Sequence, residues 1–350
     1  MHISAAHPVT LQHVAQAAGV SVSTASRALN GRAPAYRISQ QTVERVQRQA
    51  LKLGFQPSQL ARSLQSQRSG LVGVVVPDVS NPFFAAIARE IALHAESNGL
   101  SVLLADSRET TSVEVKLIEQ LRSRRVEALV VCPVGIEPQH LTTAEAAGTP
   151  VVVVDRCFPQ TNLTSVTSDH ATGAKHGLQQ LLNHGHTTIG CLQGLAGTLP
   201  NDVRLATIHS ELAAAGLSLD HTLVAGCNFT QESGYDSALQ LLRARPDVTA
   251  LFAFSAPNAF GALRAAKQMG RSVPDELSLV TFDDSPYAEF MQVPLATISQ
   301  DVARLGRTAA ELMTQQLKTG HKPRKQNHMI PVTFLPRHSI TKVISACLPN

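Results

Sequence analysis

Tryptophan is absent from this 350-residue chain, and three tyrosines and eleven phenylalanines bring the aromatic share to only 4%. An interior of any size must therefore be filled mainly by Val, Leu, Ile and Ala. Cysteine is also scarce: Cys132, Cys157, Cys191, Cys227 and Cys347 are odd in number, widely spaced and mostly set in apolar, strand-like runs. That excludes a disulfide framework or a cysteine zinc site, and predicts reduced, buried thiols in a cytoplasmic protein. No apolar run approaches the ~18–20 residues a membrane helix needs; the longest strand-like runs, such as Val151–Val154, are far shorter. The opening MHISAAHPVTLQHVAQAAG has no basic segment followed by an apolar one, so no secretory signal is expected. Catalytic signatures are missing too. There is no HExxH, no GxSxG and no P-loop, and the Gly-rich GCLQGLAG (190–197) lacks both the GxGxxG spacing and its ribose-binding acid. The fourteen histidines are scattered, His184-Gly-His186 reads as a helix end, and Asp283-Asp284 is a weak candidate for a catalytic pair. Neither an enzyme, a metal site nor a cofactor is expected.

What is present is unevenly distributed. A length of 350 residues implies two or three domains, and an apolar fraction of 43% is enough to bury substantial cores. The net charge of +4 conceals a split. Residues 1–69 carry eight Lys/Arg against a single acid, Glu44, which is +7; the other 281 residues carry 22 against 25, which is −3. A basic head on a mildly acidic body points to a polyanionic partner for the head.

Two pattern regimes meet near residue 70. Before it, short amphipathic helices dominate. Thr10 is placed to cap a helix whose Leu11, Val14 and Ala18 share a face, and Gly19 ends it. Ser21 caps a second helix with Ala25, Ala28 and Leu29 inward, closed by Asn30-Gly31. Ser39 starts a third, on which Val43, Val46, Ala50 and Leu53 face inward and which Gly54 ends. Beyond residue 70, strand-like runs (71–77, 101–107, 128–134, 151–155, 188–194, 251–255, 277–284) alternate with helical stretches, among them Pro82–Ser97, 111–123 and 138–147. Continuous β-branched runs separated by helices predict buried parallel sheets. The break near 165–170 predicts two similar α/β lobes, with ligands at the strands' carboxyl ends in the cleft between them.

Two short helices joined by a Gly-containing turn, with a third behind them, form a helix-turn-helix. The second helix turns Val22, Ser23, Ser26 and Arg27 outward. Arg27 is long enough to reach guanine O6 and N7 together, and Val22 suits a thymine methyl. Thr10, Ser21, Thr24 and Asn30 are placed for phosphates near helix N-termini. An ordinary three-helix bundle with a solvated basic face would show the same periodicity.

The order VTLQHVAQAAGVSVSTASRALNG, QTVERVQRQALKLGFQPSQLARSL and GVVVPDVSNPFF resembles the lactose-repressor (LacI/GalR) family of bacterial transcription regulators over almost the whole chain. The long loop GRAPAYRIS resembles the fructose and sucrose repressor branch. The resemblance implies an all-α helix-turn-helix head with a hinge helix, followed by a two-lobed α/β body of the periplasmic-binding-protein kind. The domains expected are 8–56 for DNA binding, 57–69 for hinge helix and linker, and 70–340 for effector binding and dimerisation. Lobe 1 would take 70–168 and 300–329, and lobe 2 would take 169–299 and 330–340. Val22, Ser23 and Arg27 match positions that read the major groove. Pro57–Ser66 matches the hinge helix, whose Ala61, Arg62 and Leu64 would meet the minor groove, Leu64 as a wedge between base steps. Leu60, Ala61 and Leu64 make an apolar stripe on a helix too short to persist alone, so it should fold when paired on DNA. A plain linker with an incidental leucine is the competing reading.

For the body, the resemblance implies an effector pocket built from Phe83, Phe84, Arg156, Arg204, Phe229, Ser255 and Asp283. Phe83, Phe84 and Phe229 would stack on a sugar face, although core is the favoured reading of Phe84. Arg204 would hold ring hydroxyls or acidic groups, and Asp283 adjacent hydroxyls. Departures from the family pattern stand at Ser255-Ala256, where most members carry Asn-Asp, and at Arg204-Leu-Ala-Thr207-Ile208, where they carry Arg-x-x-Gly-aromatic. An unmodified hexose is therefore not favoured, and acidic sugars or sugar phosphates held by Arg156 and Arg204 remain open. The partners expected are a pseudo-palindromic double-stranded operator, a small carbohydrate or sugar-phosphate effector, and a second copy in a homodimer; no membrane and no cofactor are expected. The ending TKVISACLPN has no heptads and so no coiled coil. A sugar-binding module without DNA function is the alternative.

Overall fold

The computed structural model describes residues 9–31, 33–55, 68–319 and 326–343. They fall into two units on either side of the Ser69–Gly70 bond.

The first unit holds three helices, α1 (Leu11–Ala17), α2 (Val22–Leu29) and α3 (Gln40–Leu53). The Thr10 N–H donates to His13 Nδ1 (3.3 Å) at the start of α1. Gly19, at φ +61°, supplies the left-handed step between α1 and α2. The Ser21 and Ser39 hydroxyls accept the N–H groups of Thr24 (3.1 Å) and Thr42 (3.3 Å) at the starts of α2 and α3. Val14, Ala15, Ala18, Ala25, Ala28, Val43, Val46 and Ala50 form the core. Leu53, expected inward, is 37% exposed. At 3.6 residues per turn it lies about 80° around the helix from Val43. The left-handed Gly54 then turns the chain back, and the Phe55 N–H donates to the Ala50 carbonyl (2.9 Å), so Phe55 packs where Leu53 was expected.

The second unit contains two six-stranded sheets. The first lobe comprises β1 (Leu71–Val76), β2 (Ser101–Asp106), β3 (Ala128–Val131), β4 (Val151–Val154), β5 (Thr164–Ser168) and β11 (Asn327–Ile330), in the order β2-β1-β3-β4-β5-β11. The second comprises β6 (Ile189–Leu192), β7 (Val224–Ala225), β8 (Ala250–Ala253), β9 (Ser278–Phe282), β10 (Ala296–Gln300) and β12 (Val332–Leu335), in the matching order β7-β6-β8-β9-β10-β12. Pairings are parallel except β10–β12. Helices α4 (Pro82–Ser97) and α11 (Val302–Thr319) cover one face of the first sheet, and α5 (Thr111–Ser123) and α6 (Gln139–Ala146) the other. In the second lobe α7 (His170–Asn183) and α8 (Leu199–Ala214) lie opposite α9 (Gln231–Ala244) and α10 (Ala256–Gln268). Side chains from Val, Leu, Ile and Ala dominate all four cores, as the shortage of aromatics requires.

The chain passes between lobes after β5, after β10 and between β11 and β12. The carboxyl ends of the parallel strands therefore meet at the interlobe cleft, which is where α/β folds place ligands. Among the cysteines, Cys132, Cys157 and Cys191 are buried, and burial pushes the Cys157 and Cys191 thiols up to about 12. Cys227 corrects the expectation of buried thiols. It is exposed, because it sits in the turn after β7 and not in a strand. Cys347 lies outside the described residues. Among the described residues no helix is long and apolar enough to cross a membrane.

Candidate functional site

In the head, Thr10 is exposed at the start of α1, and Ser21, Val22 and Ser23 are exposed at the start of α2, with Val22 43% exposed. The Ser21 hydroxyl is engaged locally, 2.9 Å from the Ser23 Oγ and 2.8 Å from the Thr24 Oγ1, while Asn30 Nδ2 donates to the Ser26 hydroxyl (3.3 Å). Arg27 has a partner that periodicity does not reveal: its guanidinium lies 3.8 Å from the centre of the Tyr36 ring. Tyr36 ends a 3₁₀ turn (Pro34–Tyr36) that Arg37, at φ +54°, closes. The fold of the stretch 33–39 thus carries an aromatic back onto the outward face of α2. Ala61, Arg62 and Leu64 lie outside the described residues.

The body brings Phe83, Phe84, Arg156, Arg204, Phe229, Ser255 and Asp283 together around one narrow cavity of about 20 Å³, which Asn81, Asp155 and Gln300 also line. A wider cavity of about 260 Å³ shares Asn81, Phe83, Phe229 and Asp283 with it, and Glu109 lines this second space. Most contributors stand at a strand end or helix start, and Arg204 lies in the second turn of α8. Asn81 Oδ1 accepts the Phe83 N–H (3.1 Å) at the start of α4. Phe84 is at once core and lining. The Ser255 hydroxyl is committed to capping α10, donating to Asn258 Oδ1 (2.8 Å) and accepting the Asn258 N–H (3.3 Å).

Asp155 and Asp283 follow β4 and β9, equivalent strands of the two lobes, and both are left-handed, at φ +67° and +69°. Their N–H groups bond to Val166 (2.9 Å) and Ile298 (3.1 Å), again on equivalent strands. The repeated lobe thus supplies two inward-facing carboxylates. Burial pushes Asp155 up to about 6 against the pull of Arg156 and Arg204, with Asp283 and Glu109 adding to the rise. Burial also raises Asp283, opposed by Arg204 and by the hydrogen bond from Gln300 Nε2.

The two arginines differ. Arg204 is buried, donates through Nη1 to the Phe254 carbonyl, lies 3.1 Å from His170 Nδ1 through Nη2, and stacks 3.8 Å from the centre of Phe282. Burial lowers its guanidinium, and burial and Arg204 together hold His170 well below the usual imidazole range. The neighbouring ring is therefore neutral. Arg156 is instead engaged by Glu109 in a two-pronged ion pair, both N–O distances 2.8 Å, under the Phe229 ring at 4.9 Å. Asp155 Oδ1, Arg204 Nε and Gln300 Oε1 are buried without a hydrogen-bond partner. Buried orphans of this kind are costly unless something satisfies them.

Glu109, Asp155, His170 and Gln300 were not among the expected site residues. Asp155 carried a sequence signal, since VVVVD and LVTFDD end in the same way. Glu109 and Gln300 carried none that a single sequence offers. His184 and His186, read as a helix end, take structural partners: the Gln180 carbonyl (2.7 Å) for His184, and Thr249 Oγ1 (2.9 Å) with the Thr341 carbonyl (3.0 Å) for His186.

Comparison with known proteins agrees with this division. Residues 10–58 match the family model for bacterial regulatory proteins of the lacI family, and residues 178–340 that for a periplasmic binding protein-like domain. The chain is 31% identical over 338 residues to the HTH-type transcriptional regulator DegA of Bacillus subtilis (strain 168), covering 94% of this chain and 97% of that protein. It superposes on the lac repressor dimer bound to operator and the anti-inducer ONPF with a TM-score of 0.84 at 28% identity, covering 95% of this chain and 99% of that one. A transcriptional regulator CelR–cellobiose complex gives 0.72 at 28% identity with the same coverage. With relatedness of this extent spanning head and body alike, the chain belongs to the lacI family of bacterial regulatory proteins.

Proposed function

We propose that the protein is a cytoplasmic repressor of carbohydrate-metabolism genes whose operator affinity is set by a small sugar-like or sugar-phosphate effector bound between the lobes of the body. In this reading residues 8–56 bind DNA, 57–69 form the hinge and linker, and 70–340 bind effector and dimerise. Val22, Ser23 and Arg27 read bases, with Ser26 beside them on the outward face, while Thr10, Ser21, Thr24 and Asn30 hold the backbone; Ala61, Arg62 and Leu64 enter the minor groove. Two copies meet a pseudo-palindromic operator, as the lac repressor dimer bound to operator leads one to expect, and the effector is sugar-like, as in the CelR–cellobiose complex. The protein carries out no catalytic step of its own.

The observation that carries the reading is the convergence of seven residues from six separate stretches of chain on one interlobe pocket that also holds unpartnered buried polar atoms. Hydroxyls suit the unpartnered acceptors, and the phenylalanines suit the apolar face of a sugar ring. A thermal-shift screen of sugars and sugar phosphates tests the pocket: a ligand at 100 times its Kd adds about 2.7 kcal/mol of stability. Arg204→Ala should abolish the shift, and an unchanged shift would place the ligand elsewhere. A gel shift with fragments from the gene's own neighbourhood tests the head and separates this reading from a sugar-binding module without DNA function.

A further inference from the structure

We propose that Glu109 makes the interlobe pocket selective for neutral, hydroxyl-rich ligands by occupying Arg156, the arginine that an anionic ligand would otherwise use. The inference rests on the reading of that pocket as the effector site and names the chemistry it admits.

Arg156 has little donor capacity to spare. Its Nη1 and Nη2 each donate to a different Glu109 oxygen at 2.8 Å, and Nη1 also lies 3.4 Å from the Pro133 and Val134 carbonyls. The guanidinium is nearly buried, at 4% side-chain exposure, and Phe229 covers it. A carboxylate or phosphate recognises arginine through the same fork, so it must first displace Glu109.

The backbone that aims Glu109 is unusual. Arg108 and Glu109 are consecutive non-glycine residues at φ +54° and +49°. The surrounding turn holds them there: Arg108 N–H donates to Asp106 Oδ1 (2.8 Å), Glu109 N–H to the Pro77 carbonyl (2.9 Å), and Thr110 Oγ1 to the Arg108 carbonyl (2.9 Å). A turn needed only to reverse the chain would use glycine here. Strain retained at a ligand cavity is strain retained for the side chain it positions.

The remaining charges favour the same ligand. With Glu109 and Arg156 cancelling, Asp155 and Asp283 face the single cation Arg204. An arriving anion meets a net negative wall. A hydroxyl donor meets Asp155 Oδ1 and Gln300 Oε1, both buried and unpartnered.

Inorganic phosphate is the probe, titrated calorimetrically at low salt into the full-length protein. Glu109→Asn vacates Arg156 while tolerating the left-handed backbone; Glu109→Gln keeps the length of the side chain and serves if the first variant folds poorly. Glu119→Gln removes the same charge at an exposed site elsewhere. The Glu109 variants should bind phosphate at least tenfold more tightly than wild type and the Glu119 control, and adding Arg156→Gln should erase the gain. Equal phosphate binding by wild type and Glu109 variants overturns the proposal, as does a gain that survives loss of Arg156. Failure of the effector-site reading shows separately: neutral sugars would stabilise wild type and Arg204→Ala alike, whatever phosphate does.

Discussion

Burial raises the Asp155 carboxyl from 3.8 to about 6, and the direction of that shift fixes a pH-dependent cost. Below about pH 4 the group is protonated both folded and unfolded, and the cost vanishes. As pH rises from about 4 to 6 the unfolded chain releases the proton first, so this group's contribution to stability falls, reaching about 3 kcal/mol of destabilisation above pH 6. Asp155→Asn should therefore raise the body's Tm at pH 7.5 and leave it nearly unchanged at pH 4. Calorimetry at both values checks this, and an equal gain at both would mean a packing effect instead. In the head, stacking on Tyr36 restricts where Arg27 can point. Tyr36→Leu should weaken operator binding about two- to fivefold, the worth of an exposed cation–π contact of about 0.5–1 kcal/mol. Arg27→Ala should cost about 1–3 kcal/mol and relax preference at one base pair; anisotropy titrations on single-base operator variants distinguish the two. Residues that stand in motifs, such as Arg204 and Asp283, were legible in the sequence. Glu109 and Tyr36 were not, because each becomes meaningful only through a partner that the fold brings across a long stretch of chain, or across a loop with no periodicity.

At the scale of elements, legibility followed hydrophobic continuity. The runs that became β3, β4 and β8 are unbroken and buried on both faces, so they read directly as strands. TSVTS, ATISQ and NHMI became β5, β10 and β11, and their Ser, Thr, Gln, Asn and His obscured them. The segment read as the break between lobes, 165–170, contains the end of β5 and the start of α7. A second feature invisible to periodicity is the closeness of α9 and α10. A Cβ on Gly261 would stand 2.3 Å from the Gln231 carbonyl oxygen, and one on Gly234 would stand 2.4 Å from that of Asn258. Those neighbours are backbone and cannot rotate away. Gly261→Ala must push the two helices apart and should cost roughly 1–3 kcal/mol, the usual scale of overpacking. The expected readout is a lowered Tm for the body with the head's helical signal melting as before. An unchanged body Tm would mean that the helix pair separates freely.

At the scale of the whole molecule, the distribution of charge matters more than its total. The eight basic residues before residue 70 stand against one acid, whereas the rest of the chain is at −3. A duplex therefore attracts one part of the chain and repels the other, and the ion release on binding belongs to the head. If the two heads of a dimer neutralise 6–10 phosphates, affinity should fall about 10³–10⁵-fold between 50 and 200 mM salt. The pocket and the head then leave different signatures in one experiment. On the proposed reading, a body variant such as Asp155→Asn can act on operator affinity only through the coupling free energy between pocket and head, about 1–3 kcal/mol. It removes no phosphate contact, so plots of log affinity against log salt should be displaced in parallel. Removing a head cation that meets a phosphate should instead lower the slope by about 1. Anisotropy titrations across a salt series, with and without a stabilising sugar, separate the two. A body variant that changed the slope would show that the acidic body itself exchanges ions with the duplex, and the division of labour drawn from the charge split would fail.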